Sequence, residues 1–274
     1  MSEAKRVFPV LLLLSLSLAR AAELELGCPA ERQRGLGTRQ IDECAAQVTA
    51  SEDGVCHATV SKAGAAFFDE TGPSFVMEAV SGKDMDSDKV REVIFRTQGK
   101  ERRFAYRIVG CEPGRPVLSF ENWYPARFEP TSRGRRVVVL PDDGFRGMPD
   151  LPSDVLGESA PEVWLMLEEG KLVDESHQFR AHFDLTIREL HDSLSGPMLR
   201  KFQSGKIENE DDRKTVAGRI VKLVASYLES GREEDGFKEL KRMWPKADYE
   251  RMKQAIVAAI QNGTAKRIAV PATP

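Results

Sequence analysis

Phe179-Arg-Ala-His-Phe-Asp-Leu-Thr-Ile-Arg-Glu-Leu-His-Asp-Ser-Leu194 is the stretch on which the fold class turns. Phe179, Ala181, Phe183, Leu185 and Ile187 alternate as a strand would. Phe179, Phe183, Ile187, Leu190 and Leu194 also fall at i, i+4, i+8, i+11 and i+15, one face of a helix. Length separates the two readings, because the helical spacing runs on to Leu194, past the ~5–6 residues of an ordinary strand. Read as a helix, this segment ends a β-rich region and opens a helical one.

Downstream the helical period continues. Gly196-Pro197 breaks the first helix. A second is expected over about 209–229, with Val216, Ile220, Leu223, Val224 and Tyr227 as its apolar stripe. Ser230-x-x-Glu233 reads as a capping box opening a third, with Phe237, Leu240 and Met243 inward. Trp244-Pro245 stops it, and Tyr249, Met252, Ile256 and Ile260 mark a fourth that ends near Gly263.

Upstream, short apolar runs read as antiparallel strands: 75–80, 90–95, 104–109, 116–120 and 135–140. Phe104, Tyr106 and Ile108 share one side of theirs, and Thr97-Gln98-Gly99-Lys100 reads as the hairpin turn before it. Val163–Leu167 and Lys171–Val173 form a further strand or small hairpin. The fold class is therefore α+β: a β-rich region over 22–140, an acidic Pro/Gly connector over 141–162, and a hairpin or strand with about four helices over 163–268.

The N-terminus carries an address. Lys5 and Arg6 precede a short apolar run from Val7 to Leu18, and Ala19-Arg20-Ala21 supplies small residues for a cleavage site after Ala21. The run is too short for the ~20 residues of a spanning helix. Residues 1–21 are thus expected to be a removed export signal, leaving a periplasmic or secreted protein with no membrane span. The chain has 274 residues, net charge −3, 41% hydrophobic and 30% charged residues, which excludes collagen-like, disordered and multi-span classes. Losing Glu3, Lys5, Arg6 and Arg20 takes the net charge to −5, so bulk charge does not point to a nucleic-acid partner.

Four cysteines, Cys28, Cys44, Cys56 and Cys111, are an even number in an exported chain and read as two disulfides. Three connectivities are open; Cys28–Cys44 with Cys56–Cys111 is the favoured one, tying down the N-terminus and stapling two strands. No Cys-x-x-Cys or zinc-like spacing competes with it.

Candidate chemistry is sparse. His182, Asp184 and His191 invite a metal or acid–base role, which would make the protein a metal-assisted hydrolase. Helix geometry opposes it: from His177, His182 lies at about 140° and His191 at about 320° around the axis. Asp142, Asp143, Asp150 and Asp154 of the connector lack the alternating spacing of a calcium loop. Residues 100–136 hold nine Lys or Arg against four acids, interleaved with aromatics, whereas 141–176 holds ten acids against two basic residues. Either the two stretches pair with one another, or Arg103, Tyr106, Trp123, Tyr124 and Arg136 form a basic aromatic surface for an anionic glycan or acidic protein. The leading expectation is a non-enzymatic binding or accessory protein without a cofactor; a structural or assembly role for the C-terminal helices is the third.

Overall fold

A computed structural model describes residues 26–28, 37–98, 101, 103–132, 134–148, 150–151 and 160–269. The export signal with its cleavage point, and most of the connector's 149–159, lie outside the described residues. The layout is α+β, with antiparallel sheets in the first two-thirds and helices after them.

Three sheets are present among the described residues. The first is a meander of β2 (Gly37–Ile41), β3 (Cys44–Ala50), β4 (Cys56–Lys62) and β5 (Ala65–Gly72). The second runs in the order β1 (Leu26–Cys28), β6 (Phe75–Met77), β7 (Glu92–Gln98), β8 (Phe104–Gly110) and β9 (Leu118–Asn122). The third is β10 (Arg127–Pro130), β11 (Arg136–Pro141), β12 (Glu162–Glu168) and β13 (Lys171–Asp174). The helices are α1 (Arg180–Ser193), α2 (Pro197–Gln203), α3 (Glu210–Glu229), α4 (Glu233–Met243), α5 (Tyr249–Gln261) and α6 (Thr264–Ala269). The four expected helices are there, and the short α2 and α6 add to them.

The layers follow from strand periodicity. Successive side chains leave a strand on opposite faces, so a strand covered on both sides must be apolar at every position. Val93 and Phe95 of β7 pack with Val48, Val60 and Phe75 in a core between the first two sheets. Ile94 points the other way and joins Tyr106, Ile108 and Phe120 against Val138, Leu140, Val163 and Leu165 of the third sheet. Val137, Val139, Trp164 and Met166 then face Phe183, Ile220, Leu223, Leu240 and Ile256 of the helices. The order is sheet, sheet, sheet, helices. The runs Val137–Leu140 and Val163–Leu167 are unbroken because each strand serves two cores.

Helix α3 starts where Asn209 accepts hydrogen bonds from the Asp211 and Asp212 N–H groups at 2.8 and 3.2 Å, with Glu210, Asp211 and Asp212 in its first turn. The expected capping box at Ser230 is a correction: Ser230 closes α3 instead. Its hydroxyl donates to the Ser226 and Tyr227 carbonyls at 2.8 and 3.0 Å, and α4 begins after Arg232 without a side-chain cap.

The disulfide pairing is a second correction. Cys28 bonds Cys56, while Cys44 and Cys111 remain thiols. The β3–β4 hairpin sets Cys44 opposite Lys62 and Cys56 opposite Ala50, so the two cysteines lie at opposite ends of the ladder. β1 pairs with β6 and puts Cys28 opposite Phe75, at the Cys56 end. Cys44 meets Cys111 instead, thiol against thiol; burial, then that hydrogen-bonded contact, pushes the Cys111 thiol far above its ordinary range.

Candidate functional site

The two ends of the second and third sheets converge on a buried polar hub. Asn122, at the end of β9, donates to the Pro141 carbonyl at 3.0 Å and accepts from the Trp123 N–H at 3.0 Å. The Thr264 hydroxyl lies 2.9 Å from Asp143 Oδ1 and 3.3 Å from Asn122 Oδ1, and Asp142 accepts from the Gly144 and Thr264 N–H groups at 3.0 and 2.8 Å. Arg267 grips both Asp143 oxygens at 2.6 Å. Two glycines allow this approach: a Cβ on Gly144 would overlap the Ala259 carbonyl, and one on Gly263 would lie 2.5 Å from the Asp142 carboxylate.

The hub fixes what stands above it. Phe104 pairs with Asn122 across β8 and β9, so Arg103 and Trp123 are neighbours beyond the strand ends. The Arg103 guanidinium carbon is 4.9 Å from the Trp123 ring centroid. Arg146, just after the turn held by Asp142, comes to 3.5 Å from the same centroid. Arg103 also lies 3.5 Å from the Glu101 carboxylate, whereas Arg146, stacked without an ion pair among the described residues, keeps its in-plane N–H donors free for a carboxylate, sulfate or phosphate.

The other members of the expected basic aromatic surface fare differently. Tyr106 is fully buried, stacked on Phe120 at 4.9 Å, with its hydroxyl accepting from the Ala126 N–H at 2.7 Å. This corrects its assignment to the surface: the shared side of Phe104, Tyr106 and Ile108 faces the third sheet. Tyr124 packs partly buried against the helical core, and Arg136 reaches the Phe128 carbonyl at 3.5 Å. Much of the basic stretch is matched internally: Arg107 on Glu70, Arg115 on Glu112 and Asp88, Arg127 on Glu162 and Arg135 on Glu168. Nothing local in the sequence marks Arg146, which stands within the acidic connector.

His182, Asp184 and His191 do not meet. His182 Nε2 lies 3.5 Å from Glu162 with its ring 4.5 Å from Trp164. Asp184 pairs with Arg232 at 2.6 Å, and His191 Nε2 lies 3.2 Å from the Tyr227 hydroxyl. Burial pushes the Glu162 carboxyl up, but the hydrogen bond from His182 and the charge of Arg127 outweigh it and hold the group below the usual carboxylate range.

A cavity of about 410 Å³ opens beside the hub at Asp142, lined also by Asp174, His177, Glu229, Glu233 and Lys266, with Leu228, Val257 and Ile260 as apolar wall. Burial, then the charges of Asp174 and Asp142, raise the Glu229 carboxyl to about 8, against a smaller opposing pull from Lys266. Burial likewise raises Asp142 to about 6. Nothing local in the sequence marks Glu229, the last residue of α3.

Asp84, Asp86 and Asp88 form the one group of acids, among the described residues, close enough to share a metal ion. Their alternate spacing was legible in the sequence. The loop largely satisfies itself: Asp84 accepts from the Ser87 and Lys89 N–H groups at 2.6 and 2.9 Å, and Arg115 takes Asp88.

No protein-family model, curated protein or solved structure matches the chain. The functional reading therefore rests on the chemistry of these sites. No helix among the described residues is long and apolar enough to cross a membrane.

Proposed function

We propose that this is an exported, non-enzymatic binding or accessory protein that contacts an anionic partner through the Arg103–Trp123–Arg146 stack. The observation that carries the reading is two guanidiniums held within 5 Å of one indole ring, on a scaffold anchored by Asn122 and Asp142. Arg146 is exposed and makes no ion pair among the described residues, so its charge is available to a partner. Exchange of Arg103 and Arg146 for Glu should weaken capture on a sulfated polysaccharide roughly tenfold at about 0.05 M salt, and wild-type capture should fade near 0.5 M. An acidic polypeptide in place of the polysaccharide distinguishes a glycan from a protein partner. Capture indifferent to both salt and charge reversal would refute the reading.

The Cys28–Cys56 bond supports export to a periplasmic or secreted location. The facing thiols of Cys44 and Cys111 extend it: in an oxidising compartment they join as a second bond. Each sulfur gives up its proton and one electron, and an oxidant disulfide is reduced to two thiols. Protein recovered from such a compartment should show no free thiol, and its fragments should carry a Cys44–Cys111 link; two free thiols at these positions would sink this assignment.

A further inference from the structure

The acid-lined cavity shares Asp142 with the hub but none of the residues of the arginine–tryptophan stack, and it has the opposite charge. Glu229 projects from the C-terminal end of α3, where the helix dipole already disfavours negative charge. Asp174 and Asp142 add to that repulsion. Asp142 is committed inward, to the Gly144 and Thr264 N–H groups, and Asp174 Oδ1 to the N–H and hydroxyl of Ser176 at 3.1 and 2.7 Å. Glu229 is half-buried, lines the cavity, and has no hydrogen bond or ion pair among the described residues. Lys266, the cation that lines the same cavity, forms no ion pair with it, so Glu229 stands among other carboxyls without a bound cation.

The form of that cation is set by spacing. Among the described residues of the cavity, no three acids or histidines bring ligand atoms close enough together to share a metal ion. A cation with an apolar stem can use both the carboxyls and the wall of Leu228, Val257 and Ile260. A volume of 410 Å³ admits a small organic molecule.

We propose that this cavity binds an aliphatic amine, with its ammonium group at Glu229 between Asp142 and Asp174 and its methylene stem on Leu228, Val257 and Ile260. The ammonium comes either from a free diamine or from a lysine side chain of a partner protein.

The proposal has a proton signature. The charged groups facing Glu229 are Asp142 from the turn after β11, Asp174 from β13, His177 on the rim, Glu233 from α4 and Lys266 from α6. An ammonium ion favours the ionised Glu229, so binding expels the proton that the free cavity holds below about 8. Affinity then rises as pH rises, by about tenfold per unit between pH 6 and 7.5, and levels off above 8.

Calorimetric titration of the protein with 1,5-diaminopentane, and separately with N-acetyl-lysine methylamide, tests this between pH 6 and 8.5. Saturable binding that tightens with pH is expected from at least one probe, and the one that binds identifies the source of the amine. Glu229→Gln keeps the shape and neutrality of the protonated acid, so the fold is retained. It should weaken binding at least tenfold at pH 8 and flatten the pH dependence. No saturable heat from either probe at pH 8, or a Glu229→Gln protein that binds like the wild type with the same pH profile, would overturn the proposal. Neither result bears on capture by Arg103 and Arg146.

Discussion

Replacing Cys28 and Cys56 together by alanine should lower stability by about 3–4 kcal/mol, on a chain-entropy account of a loop this long. The bond closes a sequence separation of 28 residues. β1 has only three residues and pairs with the three-residue β6, so its ladder alone holds it weakly. Both cysteines are buried in the core between the first two sheets, beside Val48, Phe75 and Met77. Loss of the bond should loosen β1 before the remainder of that core. Denaturant midpoints of the wild type with and without a thiol reductant, and of the double variant, measure this. A double variant as stable as the oxidised wild type would show that the bond does not constrain the unfolded chain as argued.

Replacing Glu92 by glutamine should stabilise the protein at pH 9 by on the order of 3 kcal/mol and hardly at all at pH 5. Glu92 opens β7, is 3% exposed, and accepts from the Met85 N–H at 2.8 Å. Burial, offset in part by that hydrogen bond and reinforced by Asp86, Asp88 and Asp84, raises its carboxyl to about 8 from 4.5. Below about pH 4.5 the carboxyl is neutral in both folded and unfolded chains and imposes no penalty. Between 4.5 and 8 the unfolded chain ionises while the folded one stays protonated, so folding loses stability as pH rises; above 8 the loss is complete. Glutamine keeps an acceptor for Met85 and has no proton to lose. Denaturation midpoints at pH 5 and pH 9 decide it. An equal difference between variant and wild type at both would mean that the Glu92 carboxyl is not held neutral by the fold.

The elements most legible in the sequence were those whose periodicity is long or whose residues are bulky. The stripe from Phe179 to Leu194 becomes α1, and the runs at 136–141 and 162–168 become strands that are apolar on both faces. The sheet from Gly37 to Gly72 leaves no such mark in the sequence. Its inward positions, Cys44, Ala46 and Val48 on β3 and Cys56, Ala58 and Val60 on β4, are small, so the alternation carries little hydropathy contrast. The non-convergence of His182, Asp184 and His191 was predictable from helix geometry. The burial of Tyr106 was not, because alternation places Tyr106 beside Ile108 without saying whether water or a third sheet lies opposite.

By itself the sequence determined local periodicity, the break between strands and helices, and an even set of cysteines. Only the tertiary structure decided which cysteines pair, which side of β8 is covered, and that Asp142, Asp174 and Glu229 share one cavity. The physical reason is range. A strand or helix face is set by backbone geometry over a few residues, whereas Asp142 meets the Thr264 N–H across 122 positions of chain. Such a meeting depends on how four layers stack, and no short window of residues encodes that.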